Sequence, residues 1–245
     1  MTDLGSSIVG PYHLLLAHDV IDNEVAFRRW AEELRLLYSA QGKDEEVCII
    51  MDSSVIELGH PMPLEACLDA GMMVRADVVV LPDVIGDAAG TLDFVRQAYN
   101  RVRNMGDAPE IMFVPQGKTL AEYVSSIEAV ANYEWIQWIG LPRDALQFMK
   151  SRMDLLLACQ ILCPHKKIHM LGFSDNILDD FICCSTGIVH GIDSAVPVRA
   201  GMKSIEFKLS VDDYGKREDY WHNEKPITPT AVRNITNVRR WLELR

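Results

Sequence analysis

Eight short apolar runs recur along the chain, at 12–17 (YHLLLA), 47–51 (VCIIM), 77–81 (DVVVL), 110–114 (EIMFV), 135–139 (WIQWI), 167–171 (KIHML), 187–192 (GIVHGI) and 204–210 (SIEFKLS). Most are nearly continuous in apolar character, as strands covered on both faces are. Segments with apolar residues at helical spacing lie between most of them, at 26–37, 89–102, 120–131 and 177–184. Thr119 and Ser174 are predicted helix N-caps, and Asp87 either caps the helix after it or orients Asp83. A last helix is predicted over 230–244, and 214–229 reads as a long polar loop. Strands alternating with helices predict a parallel sheet with crossover helices. Eight such runs in 245 residues match an α/β fold, a single-domain (β/α)8 TIM barrel spanning 1–245. A doubly wound open sheet is the competing arrangement.

Composition narrows the class. Apolar residues make up 49% and charged residues 24% of the chain, which excludes a disordered, collagenous or coiled-coil protein. Lys and Arg number 14 against 28 Asp and Glu through residue 198, and 10 against 7 in 199–245. A global basic footprint for nucleic acid is therefore absent, while the C-terminal segment carries a local one or an ordinary solvated face. No run of 18 apolar residues occurs, so no membrane span is predicted. The first residues lack a basic n-region and read as mature protein. Six cysteines, two of them adjacent at Cys183 and Cys184, do not form a disulfide framework; reduced thiols in the cytoplasm are expected.

The chemistry gathers where the runs end. Asp52, Asp83, Gln116, Gly140, Gly172 and Asp193 close or follow successive runs. In a parallel barrel all these ends lie on the face that builds the active site. Any one carboxylate there is ordinarily a cap or turn residue; the set converges on one cleft. Converging carboxylates suit nucleophilic attack with proton transfer, or a hard metal ion. Gln116 and the Gly140–Leu141 turn favour the former, because an amide offers donor and acceptor together to a nucleobase edge. His13, His18 and Asp19 border the cleft in this reading. His169 and His190 read as core or supporting residues, and Trp135 and Trp138 as core. Cys159, Cys163 and His165 are expected to pack a helix end.

Several of these segments carry a resemblance. The stretch from Ile192 through Asp193, Pro197 and Arg199 to Gly201 resembles the nucleophile motif of tRNA-guanine transglycosylases, with Asp four residues before Pro and six before Arg. Asp52-Ser53-Ser54 resembles the family's Asp-Ser-Gly-Gly turn, and Leu81-Pro82-Asp83 stands at its base-recognising Asp. Pro115-Gln116-Gly117 resembles its Val-Gln-Gly, Ile139-Gly140-Leu141 its Gly-Gly-Leu, and Met170-Leu171-Gly172 the segment covering the base. Family order is kept over about 45–205. The departures are specific. No cysteine follows Cys184, so the family's zinc site is missing, and the chain ends before the archaeal RNA-binding domains. Ser54 and Val55 replace the two glycines of the turn, and Ile56 stands where bacterial members stack an aromatic ring. The short zinc-free form resembles the DNA-modifying branch found in phages and bacterial genome islands.

The resemblance implies a pentosyltransferase that exchanges guanine in DNA for a 7-deazaguanine. It assigns Asp193 as nucleophile and Asp52 as general acid/base. Asp83, Gln116, Gly140, Leu141, Leu171, Gly172 and Phe173 would hold or cover the base. Arg199, Lys203, Lys208, Arg239 and Arg240 are candidates for phosphate contact. No cofactor or metal is implied. The partners implied are single-stranded or locally opened DNA and a free 7-deazaguanine base, with a helicase- or nuclease-type partner and a homodimer as open expectations. The same exchange on tRNA, a non-catalytic nucleic-acid-binding or partner subunit, and an unrelated metal-dependent barrel aldolase or hydrolase are the alternatives.

Overall fold

The structure, a computed structural model, describes residues 12–43, 47–208 and 227–243. The elements alternate. β1 (Tyr12–Leu16) leads into α1 (Ala17–Asp22) and α2 (Glu24–Ser39), then β2 (Cys48–Asp52), α3 (Val55–Leu58) and α4 (Leu64–Met73). β3 (Val78–Val80), α5 (Ala88–Arg103), β4 (Glu110–Phe113) and α6 (Leu120–Val130) follow. β5 (Trp138–Pro142) runs into a 3-10 turn (Arg143–Gln147), then α7 (Met153–Leu162), β6 (Lys167–Leu171), α8 (Ile177–Cys184), β7 (Gly191–Ile192) and α9 (Val196–Met202). α10 (Pro229–Glu243) ends the described chain.

Among the described residues seven parallel strands form one sheet in chain order, β1 to β7, in a single mixed α/β domain. A doubly wound sheet reverses its strand order at a switch point, and this one does not, so the winding is in one direction. Right-handed crossovers then keep every helix on the same side, and the sheet curls into a half-barrel. The pleat sorts the residues between the two faces. Ile49, Met51, Val79, Leu81, Ile111, Phe113, Ile139 and Met170 turn outward and merge with the helices into the main core. Ile50, Val78, Val80, Met112, Val114 and Trp138 turn inward and form their own cluster with Leu14, Cys48 and Leu171.

The predicted eighth strand does not form over its described residues. Segment 204–208 has no strand pairing, and 209–210 lie outside the described residues. Asn234 takes up its backbone instead: its Oδ1 accepts from Phe207 N at 3.0 Å and its Nδ2 donates to Ile205 O at 2.9 Å. α10 packs on α9 so closely that a Cβ on Gly201 would lie 2.1 Å from Ala231 Cα. Phe173, Ile177, Phe181, Ala200, Phe207 and Val238 make a second outer core there. Most of the predicted polar loop, with Lys216 and Arg217 of the basic C-terminal segment, lies outside the described residues. Among the described residues no helix is long and apolar enough to cross a membrane.

Candidate active site

Asp52 ends β2 on the inward face, two residues past Ile50. Ser54 then adopts φ +63°, the left-handed conformation a glycine adopts freely. This makes a tight turn at a strain of about 1 kcal/mol. The turn aims Ser54 N at Asp52 Oδ2 (3.3 Å), and Ser54 Oγ accepts from His18 N (3.4 Å) after β1. Burial pushes the Asp52 carboxyl up to about 7, and the carboxylates of Asp83 and Asp193 add to that; the Ser54 and Ser53 amides oppose it. Those carboxylates act on Asp52 because all three share one end of the sheet.

Asp83 and Gln116 are 3% and 2% exposed and bond each other, Gln116 Nε2 donating to Asp83 Oδ2 at 2.6 Å. Ser53 Oγ donates to Asp83 Oδ1 (3.3 Å), and Gly86 N donates to Gln116 Oε1 (3.1 Å). A carboxylate has about four acceptor sites, so two stay available. Burial lifts Asp83 to about 6, helped by the Asp144 carboxylate and opposed by the bonds from Gln116 and Ser53. Asp144, in the turn after β5, is an acidic neighbour that the sequence did not single out.

Asp193 lies one residue past β7, with a side chain 27% exposed. Its Oδ1 accepts from Gly172 N (3.2 Å) and faces His169 Nε2 at 3.0 Å, so the imidazole donates at Nε2. Both contacts fall on one oxygen, which leaves Oδ2 to meet an electrophile. His169 is 5% exposed and points inward from β6. Gly191 makes room for it: a Cβ there would sit 2.7 Å from His169 Nδ1. Gly172 has φ +68°, which turns its N–H to the carboxylate.

A buried ion pair backs this edge of the site. Arg152 and Asp180 both have side chains at 0% exposure and meet at 2.5 Å. Arg152 also donates to Leu141 O (3.1 Å), Leu171 O (3.1 Å) and Gly172 O (2.8 Å). Asp180 Oδ2 accepts from Ser174 N (2.7 Å) and Ser174 Oγ (2.8 Å). An arginine in a sequence ordinarily signals solvent, so nothing in the pattern marked this one.

The predicted residues divide. Asp52, Asp83, Gln116, Gly172 and Asp193 come together at the strand ends, with Leu171 half-buried on the inward face. Phe173 does not cover the cleft; it is stacked on Phe207 at 5.9 Å in the second outer core. Leu141 has its side chain in the helix-side core, so only its backbone reaches the site. The space beside Gly140 is filled by Leu171 Cδ1 and Met112 Sδ, each 2.9 Å from a notional Cβ, so interior packing explains its small size. Ser174 is not a cap; Asn176 caps α8 by accepting from Asp179 N. Thr119 and Asp87 cap as expected. Arg199 is half-buried in α9, its Nε without a partner among the described residues; Lys203, Lys208 and Arg240 are exposed and Arg239 half-buried. Among the described residues no group of three or more His, Cys, Asp or Glu is arranged to hold a metal ion. The chain matches no protein-family model and no curated protein.

Proposed function

We propose that this protein is a guanine transglycosylase acting on DNA, built on a (β/α)8-type barrel. Seven singly wound strands support the barrel, whose eighth position lies between β7 and β1. The observation that carries the reading is the pairing of Asp193, held on one oxygen by His169 and Gly172, with Asp52 at the same mouth, whose carboxyl burial pushes up to about 7.

The chemistry is a double displacement. A guanine turned out of the stack enters the mouth, and Asp83 accepts from its N1–H and amino group while Gln116 meets its other edge. Asp193 Oδ2 attacks C1′; the C1′–N9 bond breaks, and Asp52 gives its proton to the departing guanine. The strand stays esterified to Asp193. The incoming 7-deazaguanine then loses its N9 proton to Asp52, and N9 displaces the carboxylate. Two inversions at one carbon retain the β-configuration, and the second base enters after the first leaves. A carboxyl that titrates near 7 is suited to give and retake one proton in a cycle.

The test is incubation with 7-cyano-7-deazaguanine and either DNA or tRNA, followed by nucleoside mass spectrometry, with Asp193→Ala as control. Modified nucleoside in DNA alone, lost in the variant, supports the reading. Product in tRNA alone keeps the chemistry and replaces the polymer. Absence of product in both, with a folded protein, overturns it.

A further inference from the structure

We infer that the buried Arg152–Asp180 pair is a positioning device for Asp193, acting through the backbone of Gly172. The inference rests on Asp193 being the reactive carboxylate only for its consequence on rate; its structural content stands apart.

A fully buried ion pair is a weak source of stability, because desolvation offsets most of the attraction. The pair's other contacts show what it holds. The guanidinium donates to the carbonyls of Leu141, Leu171 and Gly172, which are the end of β5, the end of β6 and the first residue beyond it. Asp180 holds the same connection from its far side through Ser174 N and Oγ. The segment 171–174 is thus clamped at both ends by two side chains that are themselves bonded to each other. Within it, Gly172 has its carbonyl on Arg152 and its N–H on Asp193. A left-handed glycine is conformationally loose, and a small rotation there would carry the N–H off the carboxylate. The planar fork of arginine reaches three carbonyls and a carboxylate at once; a lysine ammonium is a point donor and does not.

The experiment is a coupling measurement by NMR on the full chain. The Gly172 amide resonance is followed in the wild type and in Asp193→Asn, then in Arg152→Lys with and without Asp193→Asn. Arg152→Lys keeps a cation for Asp180, and Arg152→Met with Asp180→Leu serves as a second, charge-free background. In the wild type the amide shift is expected to respond to Asp193→Asn. In both folded Arg152 backgrounds that response is expected to be lost. Where base exchange is measurable, kcat falls about 100-fold with KM changed less than about threefold, as displacement of a reacting group does. An unchanged response in either folded background overturns the inference, as does a wild-type amide indifferent to Asp193. Failure of both backgrounds to fold overturns it too, since the pair would then serve folding. If the wild type exchanges no base, the functional reading fails while the amide response still decides this one.

Discussion

Each carboxylate at the mouth has a distinct partner set, and the partners assign distinct tasks. Asp193 is held on one oxygen by two donors, so its second oxygen is presented. Replacing His169 by Phe, which has no donor, is expected to lower kcat roughly 30-fold, the value of about 2 kcal/mol for a hydrogen bond to a charged group. Single-turnover release of guanine is the measurement; a rate within threefold of wild type counts against the role given to His169. Asp52 is the reverse case, a carboxyl that burial and two neighbouring carboxylates keep protonated up to about pH 7. Release of guanine should therefore decline as pH rises through about 7. Asp52→Asn, which has no proton to give, should show a low rate without that limb. A limb of the same midpoint in the variant would assign the proton to another group.

At the scale of elements, a strand's inward row is legible wherever the pleat is regular. The apolar runs located six strands, and Asp52, Asp83, Gln116 and Asp193, which close or follow four of those runs, lie at or just past the strand ends. β5 lies three residues later than its run suggested, because Trp135 and Ile136 are apolar residues of the preceding turn. Phe173 and the 204–208 segment misled for one reason: Phe173 stacks on Phe207, which in turn meets Trp241 of α10, contacts between elements far apart in the chain. Arg152 was invisible because its role is set by three carbonyls whose positions only the fold determines. Gly191 joins the two levels. Its hydrogen is all that fits against His169, so Gly191→Ala should displace the imidazole and reproduce most of the His169→Phe defect. Overpacking of this kind costs about 1–3 kcal/mol, which a thermal melt would register beside the rate. A fully active, undestabilised Gly191→Ala protein would mean that His169 does not touch Asp193 in solution.

For the molecule as a whole, the acidic mouth sets how stability responds to pH. Asp52 and Asp83 have folded-state values raised to about 7 and about 6, against an ordinary value of 3.8. Between about pH 4 and pH 7 these two groups therefore bind more protons in the folded chain than in the unfolded one, and their contribution to stability falls as pH rises. The contribution from a protonated Asp52 is whole below its unfolded value and is lost as pH passes through about 7. The net charge of −11 bends the same way, since removing protons adds self-repulsion to an already acidic chain. The two origins separate in Asp52→Asn, which removes one local titration and leaves the global field nearly intact. Between pH 5 and pH 8 the wild type should lose about 2 kcal/mol more stability than this variant, read from urea unfolding. Parallel curves for the two proteins would mean that Asp52 is ionised across the range, and the proton assigned to it in the base exchange would have no source. In the proposed base exchange stability and catalysis would draw on one group: the carboxyl that supplies the proton near neutrality also lowers the stability of the folded chain where that proton is gone.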